Sequence, residues 1–85
     1  MFYVYFLLSN KNKKVYVGVT SKEPSIRLLE HNEGCNHWTR HNRPFKLIYY
    51  EEYFCKKDVV LREKFYKMGF GKKIKKIIVE ELGKG

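Results

Sequence analysis

Two tyrosines and an arginine–histidine pair stand out in the first part of the sequence. Tyr5 and Tyr16 are separated along the chain, whereas Arg27 and His31 have the spacing of one helical turn. A phenol exchanges protons, an imidazole titrates near neutral pH, and a guanidinium holds two oxygens of an anion at once. Further on, Glu63 offers oxygens to a hard divalent cation. Together these groups suit attack on a phosphate ester, which needs an activated water, a clamp and a cation.

Each of these residues also has a purely structural interpretation. Tyrosine is common in strands, and a lone histidine on a helix is often a surface residue. Arg27 can pair with Glu23 or Glu30 on its own helix, and Glu63 can pair with Lys67 one turn later. The residue types alone therefore favour the structural interpretation of the two tyrosines and of Glu63.

A hairpin would bring the two tyrosines together. The segments Phe2 to Leu8 and Val15 to Thr20 both have strand composition, and the asparagines of Asn10 to Lys13 between them tolerate the left-handed conformation of tight turns. With a loop of even length, odd residues of the first strand share a face with even residues of the second. We therefore expect Tyr5 and Tyr16 on one face of a sheet.

The next segment predicts the helix that carries Arg27 and His31. Ser21 can cap its start, Pro24 suits its first turn and Gly34 its end, so we expect a helix over about residues 22–33. Its buried side is predicted to consist of Ile26, Leu28 and Leu29. Residues 35–44 are mostly polar and predict an exposed basic loop.

Residues 45–54 predict a third strand, which is followed by two helices. The first begins at Asp58, has a core stripe of Leu61, Phe65 and Met68, and ends at Gly69 and Gly71. The second covers residues 72–82. The order β-β-α-β-α-α predicts an α+β fold, a three-stranded antiparallel sheet with helices packed on it, and residues 1–85 form one domain.

The composition predicts a folded chain that binds a polyanion. The 85 residues are 44% hydrophobic and 32% charged, which argues against disorder. Lys and Arg number 18 against 9 Asp and Glu, giving a net charge of +9, and residues 56–76 hold half of the basic residues. Nucleic acid is the leading partner.

The sequence also predicts the location of the protein. The apolar start is too short to span a membrane, and two cysteines are too few for a disulfide scaffold, so we expect a cytoplasmic protein.

An ordered set of residues resembles the GIY-YIG nuclease family. Tyr3-Val4-Tyr5 and Tyr16-Val17-Gly18 are similar to its paired motif, with Tyr3 in place of the first glycine. The match continues in the family's order over residues 2 to about 78, through Thr20, Arg27, His31-Asn32, Gly34, Thr39, Pro44, Tyr50-Glu51, Arg62-Glu63, Lys67 and Gly69. It is most similar to the small, stand-alone members.

The resemblance implies a metal-dependent endonuclease that acts on DNA with Mg²⁺ or Mn²⁺. It assigns Tyr5 as general base, Tyr16 to the scissile phosphate or its water, Arg27 as phosphate clamp, His31 as proton acceptor or donor, and Glu63 as the single metal ligand. The candidate nucleic-acid contacts are Gly18, Thr39, Arg40, Arg43, Lys72 and Lys73. Many members have an asparagine late in the domain; none follows Asn42 in this chain, so Lys72 or Lys73 is the candidate to fill that space.

Two other functions fit parts of the sequence. In a non-catalytic nucleic-acid-binding module, Tyr3, Tyr5 and Tyr16 would form a stacking platform on a basic sheet, and Glu63 would have no role. In a zinc-stabilised protein, the ligands would be Cys35, His37, His41 and Cys55, although their spacing is not that of a standard finger. Trp38 can either stack on an unpaired base or anchor its loop. No obligate protein partner is evident.

Overall fold

The computed structural model describes residues 1–83 and has the predicted α+β fold. Three antiparallel strands form a sheet in the order β2-β1-β3. The strands are β1 (Phe2–Ser9), β2 (Val15–Thr20) and β3 (Phe45–Tyr53). The helices are α1 (Pro24–Asn32), α2 (His37–Asn42), α3 (Lys56–Tyr66) and α4 (Gly69–Leu82).

The hairpin has the register that parity predicts. Tyr5 pairs with Gly18 and Leu7 with Tyr16, so the two tyrosines are diagonal neighbours on one face, with ring centroids 6.2 Å apart. In the turn, Lys13 rather than an asparagine takes the left-handed conformation, with φ of 64°. The face that carries Tyr5 and Tyr16 is called the site face below.

Strand β1 lies in the middle of the sheet and is covered on both sides. Val4, Phe6 and Val17 point to the opposite face, called the core face, where they pack against Val59 and Tyr66 of α3. On the site face, the buried cluster is Tyr5, Leu7 and Phe45, against which Leu28 of α1 and Tyr16 pack. The two faces thus separate a hydrophobic core from the predicted site.

A β-bulge explains why the third strand lacks clean alternation. The pairing of β1 with β3 shifts between Phe6 and Leu7, so Phe6 pairs with Tyr49 but Leu7 pairs with Leu47. The extra residue lets Ile48 and Tyr49 both pack against the core face.

Several predicted features of the helices are wrong. In α1, Ile26 and Leu29 are 46% and 61% exposed, and the fully buried side chains are Pro24 and His31. Of the stripe predicted for the next helix, Leu61 in α3 and Met68 just after its end are exposed, and the buried residues of α3 are Val59 and Tyr66. His31 and Tyr66 can be buried because their polar groups have hydrogen-bond partners inside the protein.

Two segments differ from the predicted elements. The expected loop at residues 35–44 contains the short helix α2, whose start is capped by Asn36: its side chain accepts hydrogen bonds from the backbone N–H groups of Trp38 and Thr39. The two glycines expected to end α3 lie instead in the first turn of α4. A Cβ on Gly71 would lie 1.7 Å from the Phe65 carbonyl oxygen, so glycine is required for α4 to pack against the end of α3.

A partly buried carboxylate attaches α3 to β3. Glu51 accepts hydrogen bonds from the hydroxyls of Tyr49 and Tyr53, each at 2.6 Å, and from that of Tyr66. Arg62 adds an ion pair, with Nε 2.9 Å from Oε1, and its guanidinium lies over the Tyr66 ring. Burial acts to raise the pKa of Glu51, but these donors outweigh it and hold the pKa below its usual value.

Replacing this carboxylate should destabilise the fold. We expect Glu51→Gln to lower the free energy of unfolding by about 1–3 kcal/mol, because an amide has one acceptor oxygen for four donor groups and leaves Arg62 without a counter-charge. Urea denaturation at neutral pH measures this. The exposed neighbour Glu52 provides the control: Glu52→Gln makes the same change of charge and should cost under about 0.5 kcal/mol.

The pH dependence gives a second check on this prediction. The pKa of Glu51 is lower in the folded than in the unfolded protein. Its contribution to the free energy of unfolding is therefore complete above the unfolded pKa of about 4.3 and is lost as the pH falls through the folded pKa. The stability difference between the two proteins should therefore shrink in acid. Equal stability of Glu51→Gln and the original chain at neutral pH would contradict the assigned role.

Candidate active site

The Tyr5 side chain lies buried at the centre of the site face. It has no exposed surface, and its ring occupies the space above its cross-strand partner Gly18. A Cβ on Gly18 would lie 2.5 Å from the Tyr5 hydroxyl and 2.8 Å from the Tyr16 ring. The sequence predicts that Gly18 lets a substrate approach the backbone, but in the structure this space belongs to the two tyrosines.

His31 connects Tyr5 to the short helix α2. It is fully buried, with Nε2 2.8 Å from the Tyr5 hydroxyl and Nδ1 2.8 Å from Oγ1 of Thr39. Thr39 is also fully buried and donates its hydroxyl hydrogen to the Asn36 carbonyl at 3.2 Å. The sequence predicts Thr39 as a phosphate contact; the structure instead directs its hydroxyl toward His31.

Arg27 lies between this buried pair and solvent. One nitrogen, Nη2, is 3.2 Å from Nε2 of His31, and the other, Nη1, forms a 2.7 Å ion pair with Glu30. Its side chain is 23% exposed. Arg27 therefore makes the ion pair that its structural interpretation predicts. Its other guanidinium nitrogen, Nη2, contacts His31.

Burial keeps the Tyr5 and His31 side chains neutral at neutral pH. It raises the pKa of Tyr5 to about 12, although hydrogen bonding and positive charge from Arg27 act in the opposite direction. It lowers the pKa of His31 to about 4, and the positive charge of Arg27 adds to this effect. The pair is thus a protonated phenol beside a neutral imidazole.

Tyr16 is half-buried and lies at the edge of the sheet. Its ring is 4.9 Å from that of His31 and stacks on Trp38, with centroids 5.8 Å apart and an interplanar angle of 26°. Trp38 also contacts Phe45, with centroids 5.9 Å apart. Of the two roles predicted for Trp38, the structure shows the anchoring contact.

Glu63 belongs to α3, which packs on the core face rather than the site face. Its carboxylate is 26% exposed and pairs with Lys67 at 3.2 Å. Burial raises the pKa of Tyr16, the charges of Arg27 and Lys67 lower it, and the charge of Glu63 raises it. The charge of Glu63 therefore acts on this phenol although α3 packs on the opposite face.

The remaining predicted contacts lie around the site. Arg40 and Arg43 are on or next to α2, and Arg43 donates to the Asn32 carbonyl at 3.3 Å. Lys72 and Lys73 are exposed on α4, and no described contact links either to the tyrosines, so neither is shown to replace the missing asparagine. The sequence analysis missed the Asn36 cap, although an asparagine before a polar segment is a recognised signal for a helix start.

The four zinc-ligand candidates are not gathered into one centre. His37 and His41 contact each other, with ring centroids 4.8 Å apart, whereas Cys35 lies 3.8 Å from His31, and both cysteines are free. Within residues 1–83 there is no group of three or more histidine, cysteine, aspartate or glutamate side chains able to hold a metal ion. A site with one carboxylate, such as that predicted at Glu63, is not such a group.

No helix within residues 1–83 combines the length and apolarity needed to cross a membrane.

The family comparison agrees with this geometry. The sequence model of the GIY-YIG catalytic domain matches residues 1–77. The chain belongs to the GIY-YIG family. Endonucleases characterise this family, so the match supports a nuclease-type function for the chain and nucleic acid as its substrate. Neither curated proteins nor solved structures yield a match.

The buried environment of His31 in this GIY-YIG domain predicts an unusual titration. We expect the imidazole to stay neutral down to about pH 4, whereas the unfolded chain takes up the proton near 6.5. The unfolded state therefore binds more protons between these values, and the free energy of unfolding should fall as the pH falls from about 6.5 to about 4. The His31 Cε1–H chemical shift, followed by NMR against pH, measures the folded value. A midpoint near 6.5 would contradict the burial argument.

Proposed function

We propose that this chain is a metal-dependent endonuclease that hydrolyses phosphodiester bonds in DNA. The observation that carries the proposal is the convergence of Tyr5, Arg27 and His31 in one hydrogen-bonded group, with Tyr16 beside it and within electrostatic range of Glu63. This group combines a proton acceptor, an anion clamp and a carboxylate for a cation. Family membership independently supports nuclease chemistry.

Tyr5 serves as the general base, with His31 as the acceptor of its proton. The Tyr5 hydroxyl takes a proton from the attacking water as it passes its own proton to Nε2 of His31, 2.8 Å away. This step does not require Tyr5 to be ionised before the reaction begins. Its pKa is raised to about 12, so the Tyr5 hydroxyl is protonated at neutral pH. Tyr16, at the edge of the same face, holds the phosphate or the water.

Arg27 serves as the phosphate clamp and controls access to Tyr5. In the free protein it bonds to the buried pair and to Glu30. Its planar fork fits two phosphoryl oxygens better than these separate partners, so substrate draws the guanidinium outward. This movement exposes the Tyr5 hydroxyl, which is otherwise fully buried.

Glu63 would hold the divalent cation. Its carboxylate is partly exposed, and its present partner Lys67 is an exposed lysine, a pair that contributes at most about 0.5 kcal/mol and is easily displaced. One carboxylate suffices for Mg²⁺ or Mn²⁺ when water and substrate phosphate provide the other oxygens. When bound there, the cation neutralises charge on the phosphoryl oxygens.

The binding-module alternative lacks its stacking platform. Tyr5 is fully buried and Tyr3 is 8% exposed, so neither ring can stack on an unpaired base. Tyr16 is covered on one side by Trp38. The exposed basic residues Arg40 and Lys72 remain available to phosphates in either function.

The Glu63→Gln variant separates catalysis from binding. We expect it to retain affinity for labelled DNA within about threefold and to lose at least about 100-fold in cleavage rate, because the amide cannot balance the charge of a divalent cation. Purified protein is incubated with single-stranded, duplex and branched DNA and with RNA, and cleavage and binding are measured separately. Glu80→Gln, the same change at an exposed position on α4, serves as control. Full cleavage by Glu63→Gln would refute the assigned role.

Removal of divalent cations should silence the enzyme reversibly. Excess chelator is expected to abolish cleavage, and addition of Mg²⁺ or Mn²⁺ beyond the chelator to restore it, because the site offers one protein carboxylate and binds the cation weakly without substrate. The rate of DNA cleavage against free cation concentration measures this. Cleavage that persists in excess chelator would argue against the metal mechanism.

A further inference from the structure

We propose that Thr39 is a positioning residue that sets the tautomer of His31, directing the imidazole lone pair on Nε2 toward Tyr5. Neutral histidine carries its single ring proton on either nitrogen, and only the form with the proton on Nδ1 can accept from Tyr5. The consequence for catalysis rests on the proposed endonuclease function, whereas the assignment of the tautomer is independent of that function.

The hydrogen-bond directions around Thr39 determine the assignment. Its hydroxyl has one hydrogen and two neighbours that could accept it, the Asn36 carbonyl at 3.2 Å and His31 Nδ1 at 2.8 Å. We assign the hydrogen to the Asn36 carbonyl, which can only accept, so that only oxygen lone pairs face Nδ1 and Nδ1 is the donor. Cys35 Sγ lies 3.8 Å from the same nitrogen and is a much weaker partner. The proton therefore lies on Nδ1.

A second contact leads independently to the same tautomer. Arg27 Nη2 is 3.2 Å from Nε2 of His31, and a guanidinium can only donate. Nε2 must therefore carry a lone pair. The two constraints differ in what happens when substrate binds: Arg27 moves to a phosphate in the proposed mechanism, whereas buried Thr39 stays in place. Thr39 is then the contact that maintains the tautomer during the reaction.

The first turn of α2 holds the Thr39 hydroxyl in position. Asn36 accepts from the backbone N–H of Thr39 at 3.2 Å through its side chain and from the Thr39 hydroxyl through its carbonyl. The first bond fixes the backbone of Thr39, and the second restricts the rotation of its side chain. The segment therefore supplies an oriented acceptor to a histidine of a different helix, eight residues earlier.

The tautomer is measured directly by ¹⁵N NMR on the full chain. Protonated and unprotonated nitrogens of a neutral imidazole have well-separated ¹⁵N shifts, and the His31 signals are identified by their loss in His31→Asn. At neutral pH we expect the proton on Nδ1 in the original protein. A proton on Nε2 would overturn the proposal without recourse to any variant.

Two substitutions of Thr39 then test its role. Thr39→Ser keeps the hydroxyl and should keep both the tautomer and kcat within about threefold, whereas Thr39→Val keeps the shape and removes the acceptor. Because Arg27 also favours the Nδ1 tautomer in the free protein, the effect of Thr39→Val on the tautomer is measured in an Arg27→Ala background. We expect the Nε2-protonated form to appear in this double variant and the Nδ1-protonated form to persist in Arg27→Ala alone. We expect kcat to fall about tenfold or more in Thr39→Val, with KM little changed, because phosphate binding by Arg27 is intact. Thr20→Val, which removes another buried threonine hydroxyl, is the control for the His31 spectrum.

The outcomes separate this proposal from the endonuclease proposal. A shift to the Nε2-protonated form in the double variant, absent from Arg27→Ala, supports the positioning role even if the purified protein cleaves no nucleic acid. Retention of the Nδ1 tautomer in the folded double variant, or an unchanged kcat in Thr39→Val despite that shift, would overturn it. If Thr39→Val does not fold, Thr39→Ser provides the test. Loss of the Nδ1 tautomer or of activity in Thr39→Ser, which keeps the hydroxyl, would overturn the proposal.

Discussion

Burial of β1 on both faces is the constraint on which the rest of the structure depends. Val4 and Phe6 point into the hydrophobic core beneath α3, while Tyr5 and Leu7 point to the opposite side beneath α1. A strand covered on both sides must satisfy any polar group that it carries. The Tyr5 hydroxyl is such a group, and its need for a partner explains why a histidine is buried in α1 where the sequence suggests an apolar stripe.

Two polar networks, one partly and one fully buried, lie on opposite sides of the same sheet and have different roles. Glu51 carries a negative charge that is compensated by Arg62 and three phenols, an arrangement that holds α3 against β3. The Tyr5–His31 pair carries no net charge, because burial raises the pKa of the phenol and lowers that of the imidazole. No buried side-chain nitrogen or oxygen among residues 1–83 is left without a hydrogen-bond partner.

The neutral state of the pair suits proton transfer. In the proposed mechanism, a proton moves from Tyr5 to His31 without the prior formation of a buried ion, and the charge that develops lies close to Arg27 and to the substrate phosphate. The positive charge of Arg27 disfavours imidazolium in the free protein. In the same proposal, a bound phosphate offsets this charge and makes His31 a better acceptor.

The sequence by itself determined which residues can do chemistry and several of their local relations. Period-two alternation placed Tyr5 and Tyr16 on one face, and helical spacing placed Arg27 one turn from His31, because these relations depend only on neighbouring backbone geometry. Tertiary structure alone decided that His31 is buried, that Thr39 contacts its second nitrogen, and that the charge of Glu63 acts on Tyr16. Hydrogen-bond partners and desolvation arise from segments distant in sequence, and no local pattern encodes which of them will pack together.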